Sequence, residues 1–360
     1  MGNFDGVHVG HMYLITRLIR RAQALGLPTL IYTFAEHPHN VLSGAGSLEL
    51  LTAPQKKGEL LSGAAVDCVY FEKFDKTFAS LSPEEFVRTV LVDKFGVRLA
   101  VVGSDFRFGC GGGGTVGLLK ALGHKLGFAV EEVPPLLVNG MGCAAPGAVG
   151  AAGAAGVPAA VDVPVAAVKP VVAVKPVVAD VPAAVDVPVA AGVPAAAVKP
   201  VVAGVPAAVD VSGAVGIPGV SGVSGVVSSS MIRELILAGR VAEARGLLGR
   251  LFSLDGLASA ERGSPDITVC PKRGLVVPGP GVYYTCTRVG GAIYRGYTIT
   301  TGEGVLRNHL FHFDNYLHDT EIEIFFNARF RDIVVGGKSP PETASHTEMD
   351  YTAAERYFCG

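Results

Sequence analysis

Residues 2–11 read Gly2-Asn3-Phe4-Asp5-Gly6-Val7-His8-Val9-Gly10-His11 and run directly into an amphipathic stretch, His11 to Leu25. Leu14, Leu18, Ala22 and Leu25 share one face of that stretch, with Arg17, Arg20 and Arg21 off it, so the spacing predicts a helix. A glycine-rich turn that opens a helix leaves the first backbone N–H groups without intrahelical partners, and these form a site for an anion. His8 and His11 stand three residues apart, and Gly10 between them lets the backbone pass close to a ligand. Two imidazoles and free N–H groups around one anionic centre suit phosphoryl or nucleotidyl transfer. That chemistry needs charge stabilisation at an α-phosphate and no covalent nucleophile. The spacing alone would equally serve a metal pair or two solvent-exposed histidines. The glycines and the strand–turn–helix setting favour the catalytic reading.

Strand and helix patterns alternate downstream of this turn. Leu27 to Phe34 is a short apolar run suited to a buried parallel strand, Ala53 to Leu61 reads as helix, and Val66 to Phe71 as strand. Pro83 to Phe95 predicts a helix with Ser82 as N-cap, Pro83 in its first turn and Glu84 and Glu85 at its positive end. Leu99 to Val102 and Phe128 to Val133 are further strands, separated by a helix over Val116 to Leu126. Alternation of this kind predicts a parallel sheet with helices on both faces. The glycine run Gly111 to Gly114 lacks the Gly-Lys-Ser/Thr ending of a phosphate-binding P-loop and reads as a mobile loop.

The composition is unusual: 49% hydrophobic, only 17% charged, with 47 glycines, 23 prolines and no tryptophan. An internal repeat explains it. The heptapeptide VPAAVDV occurs at Val157, Val181 and Val205, and VKPVVA at Val168, Val174 and Val198, while no aromatic residue stands between Phe128 and Phe252. Each repeat has only Ala and Val to bury, and Pro interrupts every possible strand or helix. The reading is an extended polyproline-type or disordered insertion over 141–226 rather than a solenoid. The same prolines, with charges such as Asp162 and Lys169, exclude a membrane-spanning helix. The net charge of −2 argues against general affinity for nucleic acid or anionic membrane. The six cysteines form no CxxC pair and no signal peptide precedes the motif, so reduced thiols, no protein-held metal site and a cytoplasmic location are expected.

After the insertion, Ser228 to Leu248 reads as a helix opened by Ser228, Ser229 and Ser230, with Arg233 one turn in. Hydroxyls and amides at a helix start can bind phosphate and an arginine can grip pyrophosphate, although a serine run alone is more simply an N-cap. From Leu275 the pattern turns to strands, over Gly281 to Arg288, Ala292 to Thr300, Leu306 to Phe313 and Glu321 to Phe326. These predict a small antiparallel barrel, with a closing helix over Thr343 to Phe358.

Together these residues resemble the bacterial FAD synthase family, the bifunctional riboflavin kinase/FMN adenylyltransferases. Gly2 to His11 match its GNFDGVHxGH motif, and Ser228 to Arg233 its SSTxIR motif with Ser230 in place of Thr. Thr33 to Pro38 resemble its TFDPHP with Ala35 and Glu36 substituted, and Val101 to Gly109 its VVGxDFRFG. The resemblance covers about residues 2–140 and 227–250. It implies a Rossmann-like nucleotidyltransferase domain over 1–140 and 227–250, followed by a riboflavin kinase-like barrel and C-terminal helix over 251–360. It also implies transfer of AMP from MgATP to FMN, giving FAD and pyrophosphate. By this resemblance His8 and His11 stabilise the α-phosphate, while Gly2, Asn3, Phe4, Asp5 and Gly10 shape the turn around ATP. Ser228, Ser229, Ser230 and Arg233 then hold the triphosphate. Asp105, Phe106 and Arg107 face the flavin, and for Phe34, Phe106 and Phe108 core packing is as good a reading as stacking on it.

The resemblance weakens in the barrel. Of the kinase motif GRxxGxPTAN, Gly263-Ser264-Pro265 keep the middle, but Ser259-Ala260 replace Gly-Arg, and Asp266 and Thr268 replace its Thr and Asn. Arg307 stands where the family carries its catalytic glutamate, and a cation there cannot act as the general base. A degenerate kinase domain is the expectation. The family also has a buried strand before the GNFDG motif, and a start placed downstream of its coding sequence would explain why none precedes Met1 here. Two other readings stay open: a related transferase with another phosphate acceptor, and a non-catalytic flavin- or nucleotide-binding relative.

Overall fold

Parallel strand pairs carry the N-terminal half, and a closed barrel carries the C-terminal part. The computed structural model describes residues 1–43, 48–138, 214–215, 223–302, 304–333 and 348–359. By its contacts the chain forms one unit from 1–143 with 202–360 and a second from 144–201, and the second lies outside the described residues. Most of the insertion expected over 141–226 therefore also lies outside them.

In the N-terminal half, α1 (Val9–Leu25) leads to β1 (Leu30–Phe34), α2 (Pro38–Leu42), α3 (Pro54–Ser62) and β2 (Cys68–Glu72). Next come α4 (Lys76–Ala79), α5 (Pro83–Glu85), β3 (Leu99–Gly103), α6 (Val116–Leu126) and β4 (Ala129–Val133). β1 pairs in parallel with β2, and β3 with β4, over five residues each. The expected parallel sheet is present as these two pairs. Between them lie the first residues of the chain: the Met1 amine donates to Val101 O (3.5 Å) and Gly2 N–H to Tyr32 O (3.2 Å). Ser82 caps α5 as expected, in a reciprocal box in which its Oγ accepts the Glu85 N–H while Glu85 Oε2 accepts the Ser82 N–H. The helix then continues as a wider π-type turn from Phe86 to Lys94. The glycine run is a tight turn closed by reciprocal bonds between Phe108 and Gly114, and a Cβ at Gly114 would fall 2.7 Å from the Phe108 ring.

Short strands β5 (Leu137–Val138), β6 (Ala214–Val215) and β7 (Gly225–Val226) form a small sheet centred on β5. The β5–β7 pairing, with Val227 N–H bonded to Leu136 O at 2.9 Å, brings the segment that ends at Val138 beside the one that begins at Gly225. This pairing returns Ser228 to the N-terminal turn.

The single helix expected over Ser228 to Leu248 is two, α7 (Ser229–Leu237) and α8 (Val241–Leu248). The break falls at Gly239, whose φ of 76° ends α7 and whose missing Cβ makes room for the Tyr283 hydroxyl. The β pattern begins at Phe252, not at Leu275. β8 (Phe252–Ala260) and β9 (Asp266–Pro271) join β10 (Gly281–Val289), β11 (Ala292–Thr300), β12 (Leu306–Leu310) and β13 (Leu317–Arg331) in a closed barrel of order β10-β11-β12-β9-β8-β13. β8 escapes a reading for bulky alternation because its inward positions include Gly256, Ala258 and Ala260. β12 stops short of Phe313 because the chain turns at His312, a non-glycine residue with φ of 58°. α9 (Glu348–Cys359) packs against β11. Ile232, Ile236 and Leu247 from α7 and α8 join Leu254, Ile324 and Phe326 of the barrel in one apolar core. None of the described helices is long and apolar enough to cross a membrane.

Candidate active site

The motif turn is strained and heavily braced. Phe4 (φ 52°) and Val7 (φ 39°) occupy the left-handed region without being glycine, on either side of Gly6 (φ 80°). Conformations of that kind persist only where the surroundings over-determine them, at a cost of about 1–3 kcal/mol each. Here both side chains are buried, and three struts hold the backbone between them. Gly6 N–H donates to Thr52 Oγ1 (3.1 Å). Asp5, only 5% exposed, accepts from Leu51 N–H (2.9 Å), Thr52 N–H (3.4 Å) and Arg233 Nη2 (2.9 Å). Arg250 donates to Gly6 O (2.6 Å) and Val7 O (3.1 Å). Burial pushes the Asp5 carboxyl up from its usual value, while the Arg233 guanidinium and the two amides pull the other way.

His8 is the N-cap of α1. Its Nδ1 accepts the His11 N–H at 3.3 Å, and His11 Nδ1 accepts the His8 N–H at 3.3 Å. Both rings are thereby held as acceptors at Nδ1, which places the proton of each neutral imidazole on Nε2. The rings stack at 3.6 Å between centroids and 17° between planes. Burial first, then the Arg250 charge, lowers His8 to about 3. Burial, then the neighbouring His8, lowers His11 well below its ordinary value. Near neutral pH the pair is therefore uncharged and offers two Nε2–H donors beside the free N–H groups of the α1 N-terminus. That arrangement can bind a phosphate and hold charge that develops on its oxygens.

A stability effect follows. The unfolded chain protonates these imidazoles near pH 6.5 while the folded protein keeps them neutral, so the unfolded state binds more protons below that value and stability is lost as pH falls. At pH 5 each histidine costs about 2 kcal/mol relative to pH 7. The measurement is denaturant unfolding between pH 7 and 5. A His8→Gln variant should show a shallower dependence, and an unchanged slope would refute the buried neutral pair.

The structure gathers most of the residues expected in the site. Ser228 caps α7 by accepting the Met231 N–H at 3.3 Å, and Ser229 Oγ donates to Asp5 O at 2.9 Å. Ser230 is exposed. Gly10 is the point where α1 passes both the His8 ring and Val227 O, since a Cβ there would lie 3.2 and 3.4 Å from them. Arg233 has its guanidinium engaged, on Asp5 and on Glu49 O (2.8 Å). Asp105, Phe106 and Arg107 are apart from this cluster, on the loop after β3. Asp105 and Arg107 are exposed, and Phe106 stacks on Phe108 at 5.7 Å. Phe34 packs edge-on to Tyr32 and Phe74, and Phe108 is buried against Phe86, so both belong to the aromatic core. Sequence reading gave no site role to three residues that the structure brings there: Thr52, Lys57 and Arg250. A lysine inside an amphipathic helix carries no signal that it is buried, and an arginine 240 residues from the motif carries none that it touches it.

Residues 1–144 match the profile of the family described as FAD synthetase. The chain is 34% identical over 137 residues to a Buchnera aphidicola protein named bifunctional riboflavin kinase/FMN adenylyltransferase, which covers 38% of this chain and 44% of the relative. It is 35% identical over 132 residues to the Haemophilus influenzae protein of the same name, 37% of this chain and 43% of that one, and 33% identical over 141 residues to that of Escherichia coli K12, 39% and 45%. The matched stretch thus spans less than half the length of these relatives. A crystal structure titled as a macrolide-efflux protein from Streptococcus pneumoniae shares the fold, with a TM-score of 0.61 and 21% identity over 94% of this chain and 86% of that one. Over residues 1–144, therefore, the chain is similar to the family described as FAD synthetase.

Proposed function

We propose that the protein is an FMN adenylyltransferase, which transfers AMP from MgATP to the phosphate of FMN and releases pyrophosphate to give FAD. The observation that carries this reading is the reciprocal His8–His11 cap, which holds two neutral imidazoles, their protons on Nε2, beside a helix N-terminus. Its agreement with the FAD synthetase profile over the same residues supports it. In this reading an oxygen of the FMN phosphate attacks the α-phosphorus of ATP. The two imidazoles and the α1 amides hold the negative charge that spreads over the α-phosphate oxygens, and the start of α7 faces the departing pyrophosphate. Among the described residues no group of three or more His, Cys, Asp or Glu side chains could hold a metal ion, and Asp5 is already engaged by Arg233. In this reading magnesium would enter with ATP and offset charge on its phosphates. The same reading places the enzyme in the cytoplasm with ATP and FMN as its partners, over a transferase part at 1–140 and 227–250 and a barrel at 251–360. Asp105, Phe106 and Arg107 would line the flavin side.

The barrel is proposed to lack riboflavin kinase activity. Arg307 is exposed on β12 opposite Thr268, and Asp266 is bound to His309 at 2.6 Å, so a base and a free hydroxyl–amide pair for MgATP are both missing from those positions. The test is product analysis with purified full-length protein. FAD should form from FMN and ATP, and no FMN should form from riboflavin and ATP. Absence of FAD would refute the adenylyltransferase reading, and appearance of FMN would refute the loss of the kinase.

A further inference from the structure

Lys57 is a cation of this site with no carboxylate partner among the described residues, and unlike Arg250 it can lose its proton. It lies on α3 with only 7% of its surface exposed. Its Nζ donates to Phe34 O at 2.5 Å and to Asn3 O at 3.3 Å, two neutral carbonyls at the carboxyl end of β1 and in the motif turn. Among the described residues no carboxylate oxygen comes within ion-pair distance of it, and the nearest acidic group, Asp5, is committed to Arg233 and two backbone amides. A buried ammonium with only neutral partners is costly, because carbonyl dipoles return part of the hydration it loses and no opposite charge returns the rest. Burial accordingly lowers it from its usual value to about 8, against the favourable pull of Asp5. The third N–H of the ammonium makes no hydrogen bond among the described residues, Nζ lying 5.7 Å from the centroid of the Phe71 ring, and Lys57 lines a small cleft together with Asn3, Asp5, His37 and Thr52. His37, bonded through Nε2 to Asn3 Nδ2 at 3.3 Å, is itself kept uncharged by burial and by the nearby Lys57. The cleft therefore contains a positive charge with an open donor, beside the turn that carries His8 and His11.

We propose that Lys57 binds a phosphate group of the bound nucleotide, its ammonium supplying the charge-assisted bond that the carbonyls of Asn3 and Phe34 cannot. The proposal rests on the adenylyltransferase reading for the identity of the ligands, ATP or FMN, and not for the presence of an anion site. A lysine that merely braced β1 against the motif turn would affect stability and leave phosphate affinity alone.

The experiment titrates full-length wild type, Lys57→Gln and Lys57→Arg with ATP, FMN and riboflavin by isothermal calorimetry, and measures FAD formation on the same preparations. Loss of one charge-assisted bond should weaken the phosphate-bearing ligand about 10- to 100-fold in Lys57→Gln, with partial recovery in Lys57→Arg. Riboflavin, which has the flavin and no phosphate, should bind all three proteins alike. A loss confined to ATP assigns Lys57 to the donor phosphates, and a loss confined to FMN assigns it to the acceptor phosphate. Unchanged affinity for both in a folded Lys57→Gln overturns the proposal. Should Lys57→Gln fail to fold, the pH dependence of the other two proteins decides. Wild-type affinity should fall as pH rises from 7.5 to 9.5 and that of Lys57→Arg should not: beside Asp5 and Arg233, the groups facing Lys57 are His11, His37 and the Met1 amine, which burial holds below that window, and Arg250, lowered to about 10. Equal slopes overturn it. Wild type that binds phosphate ligands and makes no FAD refutes the adenylyltransferase reading while leaving the Lys57 comparison intact.

Discussion

His11→Ala is expected to lower FAD formation by about two to three orders of magnitude while FMN binds as before. The imidazole is neutral in the resting protein, so what the variant loses is a fixed N–H donor at the point where charge develops, and such donors act mainly on the transition state. The alanine also removes the acceptor of the His8 N–H, a cap contribution of about 1 kcal/mol to α1. Stability and rate must therefore be measured separately, with unfolding curves beside kcat and KM. His8→Ala should show the same loss of rate, and the double variant should be little worse than either alone, because two groups acting on one phosphate are not additive. A His11→Ala protein that keeps a tenth or more of the wild-type kcat would remove the pair from the chemistry. Proton uptake on ATP binding is a companion signature: triphosphate charge beside the rings favours the imidazolium that burial disfavours in the free protein.

The second large effect concerns stability. Asp5→Ala should destabilise the fold by about 3–5 kcal/mol, since it leaves the Arg233 guanidinium without its carboxylate at 12% side-chain exposure. It also leaves the Leu51 and Thr52 amides without their acceptor. Replacing both partners by apolar residues of similar shape, Asp5→Leu with Arg233→Met, should recover much of that loss, because the pair's desolvation cost disappears along with its attraction. The comparison separates two roles for Arg233. If the apolar pair folds and still makes FAD at the wild-type rate, Arg233 is structural and does not grip the departing pyrophosphate. If it folds and loses ATP affinity, incoming triphosphate draws the guanidinium from Asp5.

Much of this site was legible because it is local. Gly2 to His11 lie in one stretch, and a turn of that composition before an amphipathic helix has few other uses. The cap on α5 and the whole of α6 were also readable, since Ser82, Glu85 and the apolar spacing act within a few residues. What failed to show was whatever depends on long-range contact. Gly239 breaks a helix because Tyr283, more than forty residues on, needs its space. β8 has small residues inside a barrel and so loses the bulky alternation that marks strands. Lys57 and Arg250 owe their roles to burial in a fold assembled from both ends of the chain. The two open readings of Phe34 and Phe108 resolved toward packing because an aromatic cluster running through Tyr32 and Phe86 already occupies them.

Arg250 stands two residues before the start of β8, the first strand of the barrel, and its guanidinium is closed over the backbone of Gly6 and Val7. A truncation that discards the barrel as dead weight would release that arginine into solvent and slacken the strained backbone of the motif turn. A barrel without catalysis of its own would then still be under selection, retained as the abutment of another domain's reaction. Fragment 1–250, which keeps Arg250 and lacks the barrel, should, if it folds, bind ATP and turn it over poorly.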